Sequence, residues 1–238
     1  MRRQLKIGLV VPFATDKVPV EGPLMYPDVT FIPRGVGVRA LTPEGYDAAW
    51  DGIVPAAKEL AKLDIDAIMV IGTSLTFYRG YEAHQQLLEQ LRKETGLPVS
   101  TMTEAVVDGL RSVGAKRVAV ATAYSDLVND RLADFLRRSG FEVTSMKGFG
   151  ITDFGGAEKM TEQDIIVLSG EAKAVDAVLI SCGGLMTLGC AVPIEQKHGV
   201  PVVTSTQSAF WKALRLAGDS GHVADRGRML GQSATAAA

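Results

Sequence analysis

Two stretches of the chain, Asp66-Ala-Ile-Met-Val-Ile-Gly72 and Asp176-Ala-Val-Leu-Ile-Ser-Cys182, share one pattern and lie 110 residues apart. Each opens with an aspartate, continues through an apolar run and ends at a small residue. Continuous apolar runs of this length predict strands that are buried on both faces, as in parallel sheets covered by helices. The chain therefore repeats one strand of an α/β fold.

Two further pairs of segments indicate that the repeat extends over most of the chain. Lys6 stands 110 residues before Lys116, and each opens an apolar run. Gly96-Leu-Pro-Val-Ser-Thr-Met-Thr103 matches Gly199-Val-Pro-Val-Val-Thr-Ser-Thr206 at an offset of 103. Any two parallel strands look alike, but three matches that include turn residues favour a duplicated half.

We therefore predict an α/β protein of two pseudo-symmetric lobes, each a mainly parallel sheet flanked by helices. Residues 1–112 form the first lobe, 113–222 the second, and 223–238 a flexible tail, with a helix within 205–222 able to pack back on the first lobe. The predicted strands are Lys6–Val11, Ala67–Ile71, Arg117–Ala121, Glu142–Met146, Ala177–Ser181, Val202–Thr204 and one near Thr30–Val38. The predicted helices are Glu44–Leu63, Tyr81–Glu94, Glu104–Val113, Asp126–Arg138, Glu162–Ala172, Leu188–Lys197 and Ser208–Ala217. The proline- and glycine-rich stretch 12–43 is either a lid or pocket wall or a plain surface loop.

Composition excludes several classes of function. The formal net charge is −2, with 25 basic and 27 acidic residues, so nothing favours nucleic acid or an anionic membrane as a partner. No apolar run approaches the roughly 20 residues of a membrane helix. The two cysteines suit a reducing compartment, and we expect a cytoplasmic protein. The three histidines lack the spacing of a metal site, and no GxGxxG, Walker or GxSxG motif is present.

The repeat also predicts where a ligand binds. Ligands of open α/β sheets bind beyond the carboxyl ends of the strands, where Gly72 and Cys182 occupy equivalent positions. If the lobes face each other, a thiol lies on one wall of a cleft and no side chain lies opposite it. Gly183 and Gly184 let backbone N–H groups approach an anion, and a thiol there can act as nucleophile or as acid and base. A buried structural cysteine is the alternative, and it is our interpretation of Cys190.

Hydroxyl groups at two strand ends complete the candidate site. Thr73 and Ser74 offer hydroxyls and amides that suit a carboxylate or an enediolate, although both residues are also common helix N-caps. Tyr124 follows a third strand and can donate to the same anion, or it is a half-buried structural tyrosine.

Four short segments resemble the arylmalonate decarboxylase family of the aspartate/glutamate racemase superfamily. They are Gly72-Thr-Ser-Leu-Thr-Phe-Tyr-Arg-Gly80, Ala121-Thr-Ala-Tyr124, Ser181-Cys-Gly-Gly-Leu185 and Thr42-Pro-Glu-Gly-Tyr-Asp47, and the resemblance runs from about Ile7 to Gly218. Racemases and maleate isomerases of that superfamily carry a cysteine at both strand ends, whereas the decarboxylases keep the second alone. The pair Gly72 and Cys182 is the decarboxylase pattern.

The resemblance implies cofactor-independent loss of CO2 from a 2-aryl or 2-alkenyl malonate, through an enediolate that Cys182 protonates to give a chiral acid. It implies that one carboxylate lies in a cradle of Thr73, Ser74, Tyr124 and the amides of Cys182 and Gly183. It implies that the other carboxylate lies in an apolar pocket, formed by Pro12, Val38, Leu41, Tyr46, Leu75, Phe154, Ala157 and Gly184. No metal or cofactor is implied, the partner is a small dicarboxylate, and the protein is a monomer or small homo-oligomer.

Three positions depart from the family pattern and leave the preferred substrate open. Phe13 stands where the family has a second proline after the first strand. Phe154 and Ala157 replace an aliphatic pair with one larger and one smaller side chain.

Two other functions remain as alternatives. A maleate cis–trans isomerase or racemase would use Cys182 as a covalent nucleophile, but it lacks its usual second cysteine at position 72. A small-carboxylate binding protein would share the two-lobed cleft, but it has no need of the Cys-Gly-Gly strand end. A further question concerns protonation, because amides beside Cys182 favour the thiolate, whereas a proton donor must rest as the thiol.

Overall fold

The computed structural model describes residues 4–170 and 174–231. Two parallel four-stranded sheets form its frame. The first contains β1 (Lys6–Val11), β2 (Thr30–Gly35), β3 (Ala67–Val70) and β4 (Val99–Thr101). The second contains β5 (Arg117–Thr122), β6 (Glu142–Gly148), β7 (Ala177–Ser181) and β8 (Val202–Thr204).

Both sheets have the same strand order, which confirms the predicted α/β fold with two similar halves. The order is β2-β1-β3-β4 in the first sheet and β6-β5-β7-β8 in the second. β3 and β7 are central strands and are wholly buried, as expected for continuous apolar runs.

The register corrects one of the predicted matches by a residue. Lys6 corresponds to Arg117, not to Lys116, because Ile7 pairs with Ala67 in the first sheet and Val118 pairs with Ala177 in the second. The aspartate that opens each repeat binds the start of the neighbouring strand: Asp66 accepts from the Lys6 amide, and Asp176 accepts from the amides of Lys116 and Arg117.

Helices cover both sheets. They are α1 (Glu21–Met25), α2 (Pro43–Trp50), α3 (Ile53–Ala61), α4 (Thr73–Phe77), α5 (Tyr81–Thr95), α6 (Met102–Ser112), α7 (Asp126–Arg138), α8 (Glu162–Ser169), α9 (Ala191–His198), α10 (Ser205–Leu216) and α11 (Arg228–Gly231), with a short 3-10 helix at Gly156–Lys159. The two repeats also share a cap, since Thr101 accepts from the third amide of α6 and Thr204 from that of α10.

Several predicted bounds are wrong for identifiable reasons. The single helix predicted over 44–63 is two helices, α2 and α3, separated at Asp51 and Gly52, where glycine weakens a helix. α8 ends at Ser169 because Gly170 follows with φ +63°, and the rest of that predicted helix lies at residues 171 and 172, outside the described residues. α9 begins at Ala191, so Cys190 is its N-cap residue, not an interior one.

The C-terminal segments pack more closely than the predicted flexible tail allows. Met229 and Leu230 of α11 are buried, so the chain up to residue 231 is part of the packed structure, whereas 232–238 lies outside the described residues. α10 follows the last strand of the second sheet but packs against α6 and β3 of the first half.

None of the helices in the described part of the chain has the length and apolar character needed to cross a membrane.

Candidate active site

A cleft lies where the carboxyl ends of β3 and β7 face each other, and it encloses about 580 Å³ including its open entrance. Gly72 follows β3 and Cys182 follows β7, so the two equivalent positions of the repeat line one cavity. Every site residue named from the sequence except Tyr124 also lines it: Pro12, Val38, Leu41, Tyr46, Thr73, Ser74, Leu75, Phe154, Ala157, Gly183 and Gly184. Both ends of the stretch 12–43 therefore belong to the pocket wall, whereas its middle forms a helix and a strand.

Four lining residues escaped the sequence reasoning. They are Pro19, Ile71, Gly155 and Glu158, of which Glu158 belongs to the short 3-10 helix and the other three lie in loops or at a strand end. Pro19 and Ile71 adjoin segments already assigned to the site, so their sequence position was the only available signal. Glu158 is an exposed carboxylate, and nothing in its sequence context sets it apart.

Gly72 occupies a backbone conformation that favours glycine, with φ +114°. A β-carbon at this position would lie 3.2 Å from the Leu75 Cβ and 3.8 Å from the Pro12 Cβ. The residue therefore combines a left-handed turn into α4 with close contact to the apolar wall. A side chain here would be strained and would also occupy part of the cleft opposite the thiol.

Cys182 is a buried, protonated thiol. Burial raises its pKa to about 11, and this effect exceeds the opposing contributions of the Gly184 amide, the Tyr124 hydroxyl and the Leu185 amide. The Gly184 amide donates to Sγ over 3.5 Å. The loss of hydration therefore outweighs the nearby donors, and the group rests at neutral pH as a thiol able to give a proton.

A chain of buried hydroxyls joins the two strand ends beneath the cleft. The Thr73 hydroxyl donates to Ser205 at 2.9 Å, Ser205 donates to Ser181 at 3.3 Å, and the Tyr124 hydroxyl lies 3.5 Å from Ser181. Thr73 is thus not used as a helix cap, since Gly72 holds that position. Ser181 and Ser205 are functional candidates that sequence reasoning passed over, although both lie in the repeated segments.

Tyr124 lies behind the cleft lining, not in it. It is buried, and burial together with the neighbouring Cys182 raises the pKa of its hydroxyl, which also lies within hydrogen-bonding reach of Ser181 and Thr73. Its hydroxyl contacts the groups of the cradle from below. From this position Tyr124 can orient the groups of the cradle. To contact a ligand directly, its hydroxyl would have to reach between those groups.

Loops of the two halves meet over the apolar side of the cleft. Ala40 forms a β-bridge with Asp153, and the Leu41 amide donates to the Thr152 carbonyl at 2.8 Å. Phe13 and Phe154 pack edge to face across the same seam, with ring centroids 6.0 Å apart. Two of the three departures from the family pattern are therefore in contact with each other at the cleft.

Comparisons with known proteins identify the family of the chain. A family model described as arylmalonate decarboxylase matches residues 7–230. The chain is 45% identical over 219 residues to the arylmalonate decarboxylase of Bordetella bronchiseptica, covering 89% of this chain and 90% of that protein. It is 25% identical to a maleate isomerase of Geobacillus stearothermophilus, covering 97% and 98% of the two chains.

Solved structures give the same relationship. A double mutant of arylmalonate decarboxylase in the liganded form superposes with a TM-score of 0.94 at 40% identity, covering 97% of this chain and all of that one. A Nocardia farcinica maleate cis–trans isomerase superposes with a TM-score of 0.88 at 22% identity, covering 95% and 97%, which shows a shared fold. The chain belongs to the arylmalonate decarboxylase family.

Proposed function

We propose that this protein decarboxylates 2-aryl or 2-alkenyl malonates without a cofactor and protonates the resulting enediolate on one face. The observation that carries the proposal is the asymmetry of the cleft. A protonated thiol, Cys182, lies at one strand end, and Gly72 lies at the equivalent end opposite it. A site with one proton donor suits one-sided protonation and a single product enantiomer.

The polar side of the cleft suits one of the two substrate carboxylates. Thr73, Ser74, Cys182 and Gly183, which carry hydroxyls and backbone amides, line the cavity. Beneath them, the Thr73 hydroxyl donates to Ser205, and the Tyr124 hydroxyl lies within hydrogen-bonding reach of Ser181 and Thr73. The amides, the Ser74 hydroxyl and a Thr73 hydroxyl that turns from Ser205 to the ligand would stabilise the second negative charge that develops on this carboxylate as the enediolate forms.

The apolar side suits the carboxylate that leaves. Its lining is almost free of charge, and a carboxylate there is poorly solvated. The bond from the central carbon to this carboxylate breaks, CO2 departs, and the electron pair enters the enediolate. The negative charge thereby moves from the apolar wall to the polar cradle.

Cys182 completes the reaction by giving its proton to the central carbon, which leaves a thiolate. Because the pKa of the thiol is about 11, solvent reprotonates the thiolate readily at neutral pH. The same high pKa argues against a resting thiolate nucleophile, which the cis–trans isomerase alternative requires.

We also propose a cellular compartment and an oligomeric state for the protein. Both cysteines are free and buried in the described chain, which fits a reducing compartment, and we propose the cytoplasm. We propose that the protein is a monomer or a small homo-oligomer.

The test uses phenylmalonate and 2-methyl-2-phenylmalonate with a chelator present and no cofactor added. We expect steady CO2 release and one dominant enantiomer from the methyl substrate. Cys182→Ala should lower the rate by about 10²-fold or more, since it removes the proton donor. The measurements are the rate of CO2 release, the enantiomeric composition of the product by chiral chromatography, and the rate of maleate isomerisation in a parallel assay.

Cys190→Ala is the matched control for this experiment. Cys190 is also buried and unpaired, but it lies outside the cleft at the start of α9. Its replacement should leave the rate within about twofold. Full activity in Cys182→Ala would contradict the assigned proton donor, and isomerisation of maleate in place of CO2 release would replace the proposed reaction.

A further inference from the structure

The loop that carries Cys182 is held at its far end by a carboxylate from the other half of the molecule. Residues 182–190 connect β7 to α9. The amides of Thr187 and Leu188 both donate to Oε1 of Glu21, the second at 2.9 Å, and the Thr187 hydroxyl contacts both carboxylate oxygens at 3.2 Å. Glu21 lies 166 residues away in sequence, in α1.

Glu21 is itself firmly placed. Its side chain is 2% exposed, although a glutamate is rarely buried without partners. The next residue, Gly22, packs so closely on α10 that a β-carbon would lie 2.3 Å from the Phe210 ring. At the other end of α1, the Tyr26 hydroxyl donates to the Gly221 carbonyl at 2.7 Å. α1 therefore presents Glu21 to the loop from a fixed support.

The same bonds extend to the strand that precedes α10. The Thr187 hydroxyl also lies 3.1 Å from the Thr204 hydroxyl, which caps α10. Leu185, between the two ends of the loop, is buried and donates to the Cys182 carbonyl at 3.2 Å. The loop is thus held at both ends: it continues from β7 at Cys182, and Glu21 binds it at residues 187 and 188.

We propose that Glu21 is a positioning residue that fixes the Cys182 loop, and through it the direction from which the thiol reaches the substrate. Burial raises the pKa of the Glu21 carboxyl, and the donors from Thr187 and Leu188 that hold the carboxyl in place lower it. This role rests on the proposed decarboxylase function. Glu21 is not among the residues that line the active-site cleft, although it lines a neighbouring cavity that shares Gly183 and Gly184 with the cleft.

The experiment compares Glu21→Ala, which removes the acceptor of two buried amides, with Glu21→Gln, which keeps one oxygen in place. Glu162→Gln is the matched control, because Glu162 also accepts an amide of this loop, from Gly189 at 2.7 Å, but it is exposed and belongs to the same half. Phe141→Ala is the control for general instability, because Phe141 is buried just before β6, at the end of the second sheet opposite the cleft.

Three quantities are measured: kcat and KM for 2-methyl-2-phenylmalonate, the enantiomeric ratio of its product, and the rate at which iodoacetamide alkylates Cys182, followed by peptide mass spectrometry. We expect Glu21→Ala to lower kcat about tenfold with KM within about threefold, to erode the enantiomeric ratio and to speed alkylation at least threefold. Glu21→Gln should recover most of kcat, and Glu162→Gln should resemble the unmodified protein.

Two outcomes would overturn the positioning role. One is an unchanged enantiomeric ratio and an unchanged alkylation rate in Glu21→Ala. The other is an equal change in Phe141→Ala, which would make the effect one of stability. If the unmodified protein released no CO2, the proposed function would fail, but the alkylation rates would still decide whether Glu21 fixes the loop.

Discussion

At the scale of single residues, burial decides the chemistry of the cleft. Cys182 has an amide and a tyrosine hydroxyl beside it, and these donors lower its pKa, yet desolvation raises that pKa to about 11. The sequence places the donors near the thiol, but it cannot weigh them against burial, because burial depends on segments far away along the chain. The protonation state of Cys182 therefore needed the structure.

A pH profile checks this balance. We expect kcat/KM to stay level from about pH 7 to pH 9, because the thiol of the free protein remains protonated there, and to fall only as the pH approaches 11. A decline in kcat/KM centred between pH 7 and 8.5, measured with buffers of overlapping range, would mean that the thiol titrates normally.

The same shift affects stability. The pKa of Cys182 is higher in the folded protein than the usual value of 9.0, so its contribution is complete below pH 9 and is lost as the pH rises towards 11. The free energy of unfolding should fall by about 1.4 kcal/mol per pH unit from this group in that interval. Urea titrations at several pH values should show a shallower fall in Cys182→Ser, which has no group to ionise. Equal slopes would argue against the shift.

Gly72 supplies a test of steric strain. Gly72→Ala should lower the free energy of unfolding by about 1–3 kcal/mol, because its φ is +114° and the new carbon would lie 3.2 Å from Leu75. Gly80→Ala is the control, since Gly80 has φ +93° but no atom within 4 Å of an added β-carbon. Denaturation should show the smaller loss for Gly80→Ala, and the reverse order would mean that crowding at Gly72 is unimportant.

At the scale of elements, three strands and the helix α7 were predicted with the bounds that the structure has, whereas β4, α1, α4 and α11 were not predicted. β1, β7 and β8 have the predicted bounds because a strand buried on both faces is a continuous apolar run with sharp ends. Helix ends depend on local contacts, as at Asp51 and Gly52, which separate the end of α2 from the start of α3. α1 was missed because Gly22 and Pro23 are poor helix formers, and its contact with α10 stabilises it instead.

That contact gives a prediction for α1. Gly22→Ala should cost about 1–3 kcal/mol of stability and should lower kcat, because its new methyl would overlap the buried Phe210 ring and displace Glu21. Adding Phe210→Leu, which shortens the opposing side chain, should recover part of both losses. Thermal denaturation and steady-state kinetics measure them, and an undisturbed Gly22→Ala protein would show that α1 shifts without consequence.

At the scale of the whole molecule, the duplication predicted the two opposed strand ends of the site, the family resemblance predicted its apolar wall, and neither predicted its supports. Gly72 and Cys182 were identified because the repeat aligns two strand ends, and both line the cleft. The hydrogen bonds that Thr73 donates to Ser205 and that Thr187 donates to Glu21 span 132 and 166 residues. Such contacts between halves have no counterpart within a single repeat, so no internal match could indicate them.

The same contacts predict that the two halves unfold together. α10 follows the second sheet but packs on the first half, so neither half has a complete core alone. The variant Trp211→Phe leaves Trp50 in α2 as the fluorescent probe, and Trp50→Phe leaves Trp211 in α10. In each variant, the urea unfolding transition seen by tryptophan fluorescence should coincide with the one seen by circular dichroism. Separate transitions would show that the halves are independent folding units.

The missing side chain at Gly72 has a consequence for the reaction run backwards. By microscopic reversibility, the thiolate of Cys182 can remove the α-hydrogen from the acid that the enzyme makes and then return one from the same side. In heavy water the protein should thus label its own product slowly with deuterium while leaving its handedness intact. A cleft that carries sulfur at one of its two equivalent strand ends can exchange the hydrogen isotope of its product but cannot racemise it.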